Sequence, residues 1–269
     1  MKKILKDKAF ITTMLTLALP ITFQNLVTSS LNLVDNLMIG RLGEEAIASV
    51  GLANQYFFIF TLCLSGINAG ASVFMSQYWG KKDGKSIKKG LGLDISIGFI
   101  ASIIFGGAAF FLVNPIMSVL SKDAKVIELG AQYLRIVAIS CLFTNFTQAF
   151  SSALRSSEQP KTPMYASIIG VLCNAFLNWV FIFGNLGVTP MGVAGAALAT
   201  TIARTLEVAY IIFMIYAKNN IVSSKIRELF SFDMNFIRIY FNTSTAVIAN
   251  ELLWSLGMTA YSIAYAQIG

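Results

Sequence analysis

The sequence predicts an all-α integral membrane protein, a polytopic helix bundle with a six-helix N-terminal lobe and a seventh span from an incomplete second lobe. Apolar residues make up 56% of the 269 residues and charged residues only 12%, whereas soluble domains carry about 25% charged residues. Seven stretches are long and apolar enough to cross a bilayer, which takes about 20 residues in a helix. Open sheet edges are not viable in lipid, so each stretch is predicted to be helical.

Short polar turns separate the predicted spans. Gly40 and Gly43 flank the first turn, Gly80 and Gly84 flank the second, and Pro115 lies at the third. The second stretch is longer than one bilayer crossing, so its helix is expected to tilt or protrude. The predicted spans are residues 14–39, 46–78, 89–113, 126–152, 163–184, 191–216 and 240–268.

The basic residues indicate how the chain is oriented. Of the 20 Lys and Arg residues, 15 lie in segments on the same side as the N-terminus, three lie on the other side and two lie within spans. Segments rich in Lys and Arg stay in the cytoplasm. The protein is therefore predicted to be multi-pass in the cell membrane with a cytoplasmic N-terminus. Basic residues in the cytoplasmic segments also explain the net charge of +7. Nucleic acid is therefore not an expected partner.

A long polar segment after the sixth span predicts a division of the chain. Residues 1–217 are expected to form the six-helix lobe, and residues 218–239 a cytoplasmic amphipathic linker. Residues 240–269 would then be the first helix of a second lobe. Because one helix does not make a lobe, the sequence is expected to be a fragment whose missing C-terminal lobe is its partner in the complete protein.

Composition excludes several kinds of chemistry. The sequence has no His, the usual acid–base group and the commonest metal ligand. Cys63, Cys141 and Cys173 lie in apolar stretches without metal-like spacing and are expected to be small buried side chains. No serine has a plausible base, and no filter motif indicates a channel. We therefore expect neither an enzyme nor a cofactor, and any proton chemistry must use carboxylates.

Asp35 is the most informative polar residue because it lies within the first span. A carboxylate inside a bilayer costs roughly 2.5–3.5 kcal/mol on insertion scales and marks a functional site. At about 1.5 Å per helical residue, Asp35 lies at a depth similar to that of Asn174, Asn178 and Thr200. Asn174 and Asn178 are four residues apart and share one helix face. These side chains predict a site for an exchangeable proton or a hard cation such as Na⁺.

Four other residues are candidates for the central cleft or for its movement. Asn54 and Gln55 in the second span reach a similar depth, and so would be near the site. Glu251 lies near the midplane of the seventh span without a basic residue within one turn. For the amides and for Thr200, interhelical hydrogen bonding is the alternative role. Pro20 removes a backbone hydrogen bond from the first span and predicts a hinge there.

Other charged residues within the spans are predicted to have structural roles. Arg204 and Glu207 are three residues apart in the sixth span, toward its inner end, and can pair with each other. Asp94 is expected close to the inner rim, as an interfacial partner of Lys88 or Lys89.

Several of these residues belong to motifs that recur in a fixed order. The motifs are Leu19-Pro20, Val34-Asp35, Gly40-Arg41-Leu42-Gly43, Asn174-Ala175-Phe176-Leu177-Asn178, Ile182-Phe183-Gly184, Gly192-Val193-Ala194-Gly195-Ala196-Ala197-Leu198-Ala199-Thr200 and Ala249-Asn250-Glu251-Leu252-Leu253-Trp254. Together their order and spacing resemble those of the multidrug and toxic compound extrusion (MATE) family. The resemblance covers the whole chain. It implies twelve spans in two lobes and export of cationic amphiphilic compounds, small organic cations, in exchange for H⁺ or Na⁺.

The resemblance also implies roles for particular residues. Asp35, Asn174 and Asn178 match the family's cation-coupling site, where Na⁺ would bind Asp35 and Asn178, and Glu251 matches a residue of the cleft. Some branches have aspartate where Asn178 stands here. Asp35 is then the only carboxylate of this predicted pocket, which favours one exchangeable charge.

A lipid-linked oligosaccharide flippase of the same wider superfamily is the alternative function. Such a protein would need several basic residues in its cleft to hold pyrophosphate. Arg135 and Arg204 are the candidates that lie within predicted spans.

Overall fold

The structure is a computed structural model that describes residues 8–268, and nearly all of these residues are helical. A short 3₁₀ turn, Asn185–Gly187, precedes the eighth helix. The ten α-helices of the described residues are α1 (Lys8–Gly40), α2 (Glu44–Gly80), α3 (Gly84–Phe111), α4 (Val113–Leu120), α5 (Ala124–Val137), α6 (Ser140–Ser156), α7 (Lys161–Phe183), α8 (Gly192–Ala217), α9 (Ile226–Leu229) and α10 (Met234–Ile268).

Local chemistry explains where several helices begin and end. The carboxylates of Asp83 and Asp123 cap α3 and α5 by accepting hydrogen bonds from backbone N–H groups of the first turn, at 3.1 and 2.8 Å. Gly43 precedes α2 with a φ of 111°, and Gly184 ends α7 with a φ of 75°. Such left-handed values favour glycine, which has no Cβ to clash with the backbone.

The helices agree with the predicted membrane bundle. Five of the described helices, α1, α2, α3, α7 and α8, are long and apolar enough to cross a membrane, and α5 with α6 forms a sixth crossing if the bent pair is one span. The seventh predicted span lies within α10, which begins at Met234 and is not one of the five. The crossing of the bilayer by α10 stays a prediction.

The predicted fourth span, 126–152, is not one straight helix. It is divided into α5 and α6, which are bent by 50°. At the bend, Ser140 Oγ donates to the carbonyl of Val137 at 2.7 Å, and the N–H of Cys141 bonds to the carbonyl of Ala138 at 3.2 Å. A hydroxyl that bonds back to the preceding turn competes with the backbone ladder and bends helices. Ser140 therefore marks a break that contains neither Gly nor Pro.

Helix α2 runs through the middle of the bundle and packs against α3, α5, α6 and α10, while α7 packs along both α8 and α1. Three apolar clusters fill the described part of the bundle, and two of them are large. One includes Phe74, Leu91 and Tyr240, and the other includes Met117 and Leu134. The polar groups of the site lie where α1, α7 and α8 meet.

The segment between α8 and α10 is folded against the bundle. The carbonyl group of Leu229 on α9 occupies the place where a side chain at position 92 would be, which explains Gly92 on α3. Nearby, Lys88 Nζ lies 3.0 Å from Glu228 Oε2. The predicted linker is thus packed onto α3, while the division of the chain at residues 218 and 240 stays a prediction.

Asp94 does not occupy the rim position that the sequence suggested. Its residue is 1% exposed, and neither carboxylate oxygen has a hydrogen-bond partner among the described residues. Ten residues of α3 separate it from Gly84, which is about 15 Å along a helix, whereas Lys88 pairs with Glu228. The expected partnership with Lys88 or Lys89 was therefore wrong.

Candidate functional site

The structure brings together the four polar residues that the sequence placed at one depth. Asn178 Nδ2 donates to Asp35 Oδ1 at 2.6 Å and lies 3.2 Å from Asn174 Oδ1. The Asn174 amide in turn lies 3.3 Å from Thr200 Oγ1. Asn174 and Asn178 are buried, at 3% and 1% exposure, and Asp35 is partly exposed. One hydrogen-bonded group therefore joins α1, α7 and α8.

The Asn174 amide can face Asp35 in two orientations that suit different charge states of the carboxyl group. With its oxygen toward Asp35, the amide needs a protonated Asp35 as hydrogen-bond donor. With its nitrogen toward Asp35, it donates to Oδ1 at 2.8 Å and Oδ2 at 3.2 Å, and its oxygen accepts from Thr200 Oγ1 at 3.3 Å. The second orientation suits an ionised Asp35. In that orientation Asn174 and Asn178 both donate to the Asp35 carboxylate.

A cavity of about 510 Å³ opens beside Asp35. Its wall includes Phe57, Phe58 and Asn54 on α2, and Tyr133 on α5 donates to Asn54 Oδ1 at 3.3 Å. Its wall mixes polar residues with aromatic and aliphatic ones, and volumes of about 300–1,000 Å³ are typical of small-molecule sites. The cavity is large enough for a small organic molecule, and Asp35 is the carboxylate in its wall.

The remaining predicted residues lie at separate places. Gln55 is exposed and outside the cavity, because it points about 100° away from Asn54 on the same helix. Glu251 on α10 is partly buried against α2, where a Cβ at Gly66 would lie 3.6 Å from its Cβ. Pro20 lies inside α1, which remains helical on both sides of it. A role in transport for these residues stays a prediction.

Arg204 belongs to the site although the sequence suggested a role near the inner end of its helix. It lines the cavity beside Asp35 and donates to Glu207 Oε2 at 2.8 Å. Glu207 is buried, at 3% exposure. The predicted pairing is confirmed, but its position was misjudged. Arg204 follows Thr200 by four residues and so shares its helix face. This spacing could have placed Arg204 beside the predicted site.

Several oxygen atoms near Asp35 are of the chemical types that bind hard cations. Asn178 Oδ1 is buried and has no hydrogen-bond partner in the described structure. It adds a carbonyl oxygen to the carboxylate of Asp35 and the hydroxyl of Thr200, the ligand types that hard cations take. Among the described residues, no group of three or more His, Cys, Asp or Glu could hold a metal ion.

Known proteins resemble the chain in sequence and in fold. Residues 20–180 match the MatE family model. A probable multidrug resistance protein NorM from Thermotoga maritima is 26% identical over 262 residues, which are 91% of this chain and 55% of that protein. Another from Mesorhizobium japonicum is 31% identical over 205 residues, which are 72% of this chain and 42% of that protein. The chain thus spans about half the length of the curated relatives it matches.

A solved structure shows the same helical arrangement. A MOP superfamily transporter from Pyrococcus furiosus aligns with a TM-score of 0.80 at 21% identity. The alignment covers 92% of this chain and 54% of the transporter. At this identity the likeness concerns the fold alone.

Proposed function

The chain belongs to the MATE family, and on that premise we propose that the intact protein exports cationic amphiphilic drugs or toxins in exchange for H⁺ or Na⁺. The names of the matched relatives as multidrug resistance proteins support the drug-export part of the proposal. They do not favour the alternative of a lipid-linked oligosaccharide flippase.

The hydrogen bond between Asp35 and Asn178 carries the proposal. It holds a carboxylate at the wall of a cavity that is large enough for a small organic molecule. Carboxylates within membrane spans mark ion and proton pathways. A proton would neutralise Asp35 directly, and Na⁺ would bind between Asp35, Asn178 Oδ1 and Thr200.

Cation exchange at Asp35 would change how α1 is held by α7. An ionised Asp35 accepts hydrogen bonds from Asn178 and from the nitrogen of Asn174, and these bonds hold α1 against α7. A proton or Na⁺ bound at Asp35 competes with these hydrogen bonds and weakens the contact between α1 and α7. Helix α1 then bends or straightens at Pro20, where a backbone hydrogen bond is missing, and reshapes the cavity.

Substitution of Asp35 by Asn tests the coupling. The intact protein in vesicles should lose the response of fluorescent-cation efflux to ΔpH and to a Na⁺ gradient, because Asn cannot exchange a charge. The control is Glu44→Gln, which neutralises an exposed carboxylate at the start of α2. If Asp35→Asn exports with an undiminished response to both gradients, the coupling role is wrong.

Substitution of Pro20 by Ala tests the hinge. Alanine restores the missing N–H and should slow turnover more than it weakens drug binding. The two quantities are separated by measuring efflux rates in vesicles and drug affinity in detergent. Equal turnover of the variant and the wild type would remove Pro20 from the mechanism.

A further inference from the structure

A second polar cavity, of about 400 Å³, shares Arg204 and Thr28 with the cavity beside Asp35. Hydroxyl and amide side chains form most of its wall, and Arg155 lies near the end of α6 that is predicted to face the cytoplasm. Arg155 donates to Gln24 Oε1 at 3.2 Å, and Gln24 Nε2 donates to Ser167 Oγ at 2.6 Å. Polar cavities of this kind hold water, whereas dry cavities are apolar.

A narrow cavity of about 40 Å³ lies between these two spaces. Asp35 and Glu207 both line it, together with Arg204. A single water needs only about 10–15 Å³ of such volume. Asp35 and Glu207 thus border the same small polar space, which has room for a few water molecules.

Gly170 on α7 keeps this narrow cavity open. A Cβ at position 170 would overlap the carboxylate of Glu207, so the buried acid requires a residue without a side chain on the facing helix. Two residues thus hold Glu207 at the narrow cavity. Arg204 forms an ion pair with it, and Gly170 leaves room for its carboxylate.

The charges around this cavity suggest that its two acids act together. If Asp35 and Glu207 are both ionised, the group with Arg204 carries one net negative charge. If one acid is protonated, the group is neutral, and an unbalanced buried charge is costly. We propose that Asp35 and Glu207 share one exchangeable proton around Arg204, and that Glu207 passes the coupling proton on toward the cytoplasm. The inference rests on the proposed export function and assigns H⁺ as the coupling ion.

Each step of the transfer conserves protons and charge. Protonated Asp35 gives its proton to a water in the narrow cavity, and that water gives one to the carboxylate of Glu207. Arg204 keeps its positive charge and turns from Glu207 to the newly ionised Asp35. Glu207 then releases the proton to water in the second polar cavity and takes Arg204 back.

Few other groups can interfere with this transfer. Besides Asp35, Glu207 and Arg204, the charged or titratable residues that line the three cavities are Tyr133 on α5 and Arg155 on α6. Helix α7 contributes only neutral residues to the three walls, and so does α2.

Glu207→Gln in the intact protein tests the inference, because Gln keeps the size of the side chain but carries no exchangeable proton. In weakly buffered detergent solution, addition of a cationic drug should release about one proton per wild-type protein and none from the variant. In vesicles, ΔpH-driven efflux should fall at least tenfold. Gly170→Ala should also slow efflux. The matched control is Gly107→Ala, whose Cβ would meet nothing within 4 Å.

Because Glu207→Gln leaves Arg204 without its partner, a double variant, Arg204→Met with Glu207→Met, removes both charges together. It should insert normally and lose ΔpH-driven efflux, because Asp35 then has no second acid to take its proton toward the cytoplasm. If either variant is well expressed and its ΔpH-driven efflux equals that of the wild type, Glu207 has no role in the transfer. If the wild-type protein exports in response to a Na⁺ gradient alone and releases no proton, the inference is wrong, while the proposed export function is unaffected. Absence of any export by the wild type would overturn the proposed function itself.

Discussion

Ser244 Oγ on α10 donates a hydrogen bond of 3.0 Å to the carbonyl oxygen of Gly70 on α2. The two helices approach closely at this point, since a Cβ at position 70 would lie 2.9 Å from both Ser244 Cβ and Ile248 Cγ1. Small residues that permit close backbone approach, supported by a hydroxyl hydrogen bond, are typical of helix contacts within membranes. The contact fixes α10 against the middle of the bundle.

Gly70→Ala should loosen this contact. The added methyl group has no space, and overpacking of a well-packed contact costs about 1–3 kcal/mol. The thermal unfolding midpoint of the purified protein should fall. The control is Gly51→Ala on the same helix, whose Cβ would meet nothing within 4 Å. Equal midpoints for the two variants would mean that Gly70 is not needed for the packing of α10.

Asn178→Leu should impair coupled export. Leucine is close to asparagine in size but cannot donate to Asp35, and a buried polar group left without its partner costs about 1–3 kcal/mol. Because each 1.36 kcal/mol is a factor of ten, the efflux rate under ΔpH should fall by about tenfold or more. Gln77→Leu, at an exposed position of α2, controls for the loss of an amide. A normal rate for Asn178→Leu would leave the 2.6 Å hydrogen bond without a function.

Glu251→Gln should impair export by a different route. Glu251 lies against Gly66 on α2 and away from the cavity beside Asp35, so the hydrogen bonds of Asp35 should persist. Gln keeps the shape and removes a titratable charge near the predicted midplane. Efflux from vesicles is compared with that of Asn250→Ala, a change at the exposed neighbour on α10. Normal export by well-expressed Glu251→Gln would return the residue to a structural role.

The packing of the linker on α3 should depend on pH through Glu228. The hydrogen bond from Lys88 holds the pKa of Glu228 below its ordinary value of 4.5. Because this pKa is lowered by folding, the contact contributes fully above the ordinary value and is lost as the pH falls through the folded-state value. Amide hydrogen exchange of residues 218–233 should therefore be slower in the wild type than in Glu228→Gln near neutral pH.

This difference between the two proteins should vanish in acid, and it should shrink in high salt because both charges are accessible to ions. Comparison at each pH removes the intrinsic pH dependence of exchange. A difference that persists well below the ordinary pKa would mean that Glu228 acts through its shape and not through its charge.

The group around Asp35 could be predicted because helix geometry converts sequence spacing into depth. The positions of Asp35, Asn174, Asn178 and Thr200 follow from a rise of about 1.5 Å per residue and from short turns at known places. The spans themselves follow from composition, since long apolar stretches in a bilayer can only be helical.

The bend between α5 and α6 could not be predicted in this way. It depends on the rotamer of Ser140 and on α3, where a Cβ at Gly106 would lie 3.0 Å from the carbonyl oxygen of Ala138. The place of Glu207 likewise depends on Gly170, which lies on another helix. Both are tertiary relationships between residues distant in sequence, which periodicity along one helix does not contain.

The carbonyl of Leu229 that fills the place beside Gly92 has a mechanical consequence. The backbone of the segment between α8 and α10 is in direct contact with α3 at Gly92, and a side chain at position 92 would exclude it. A larger residue at position 92 would therefore push α9 away from α3.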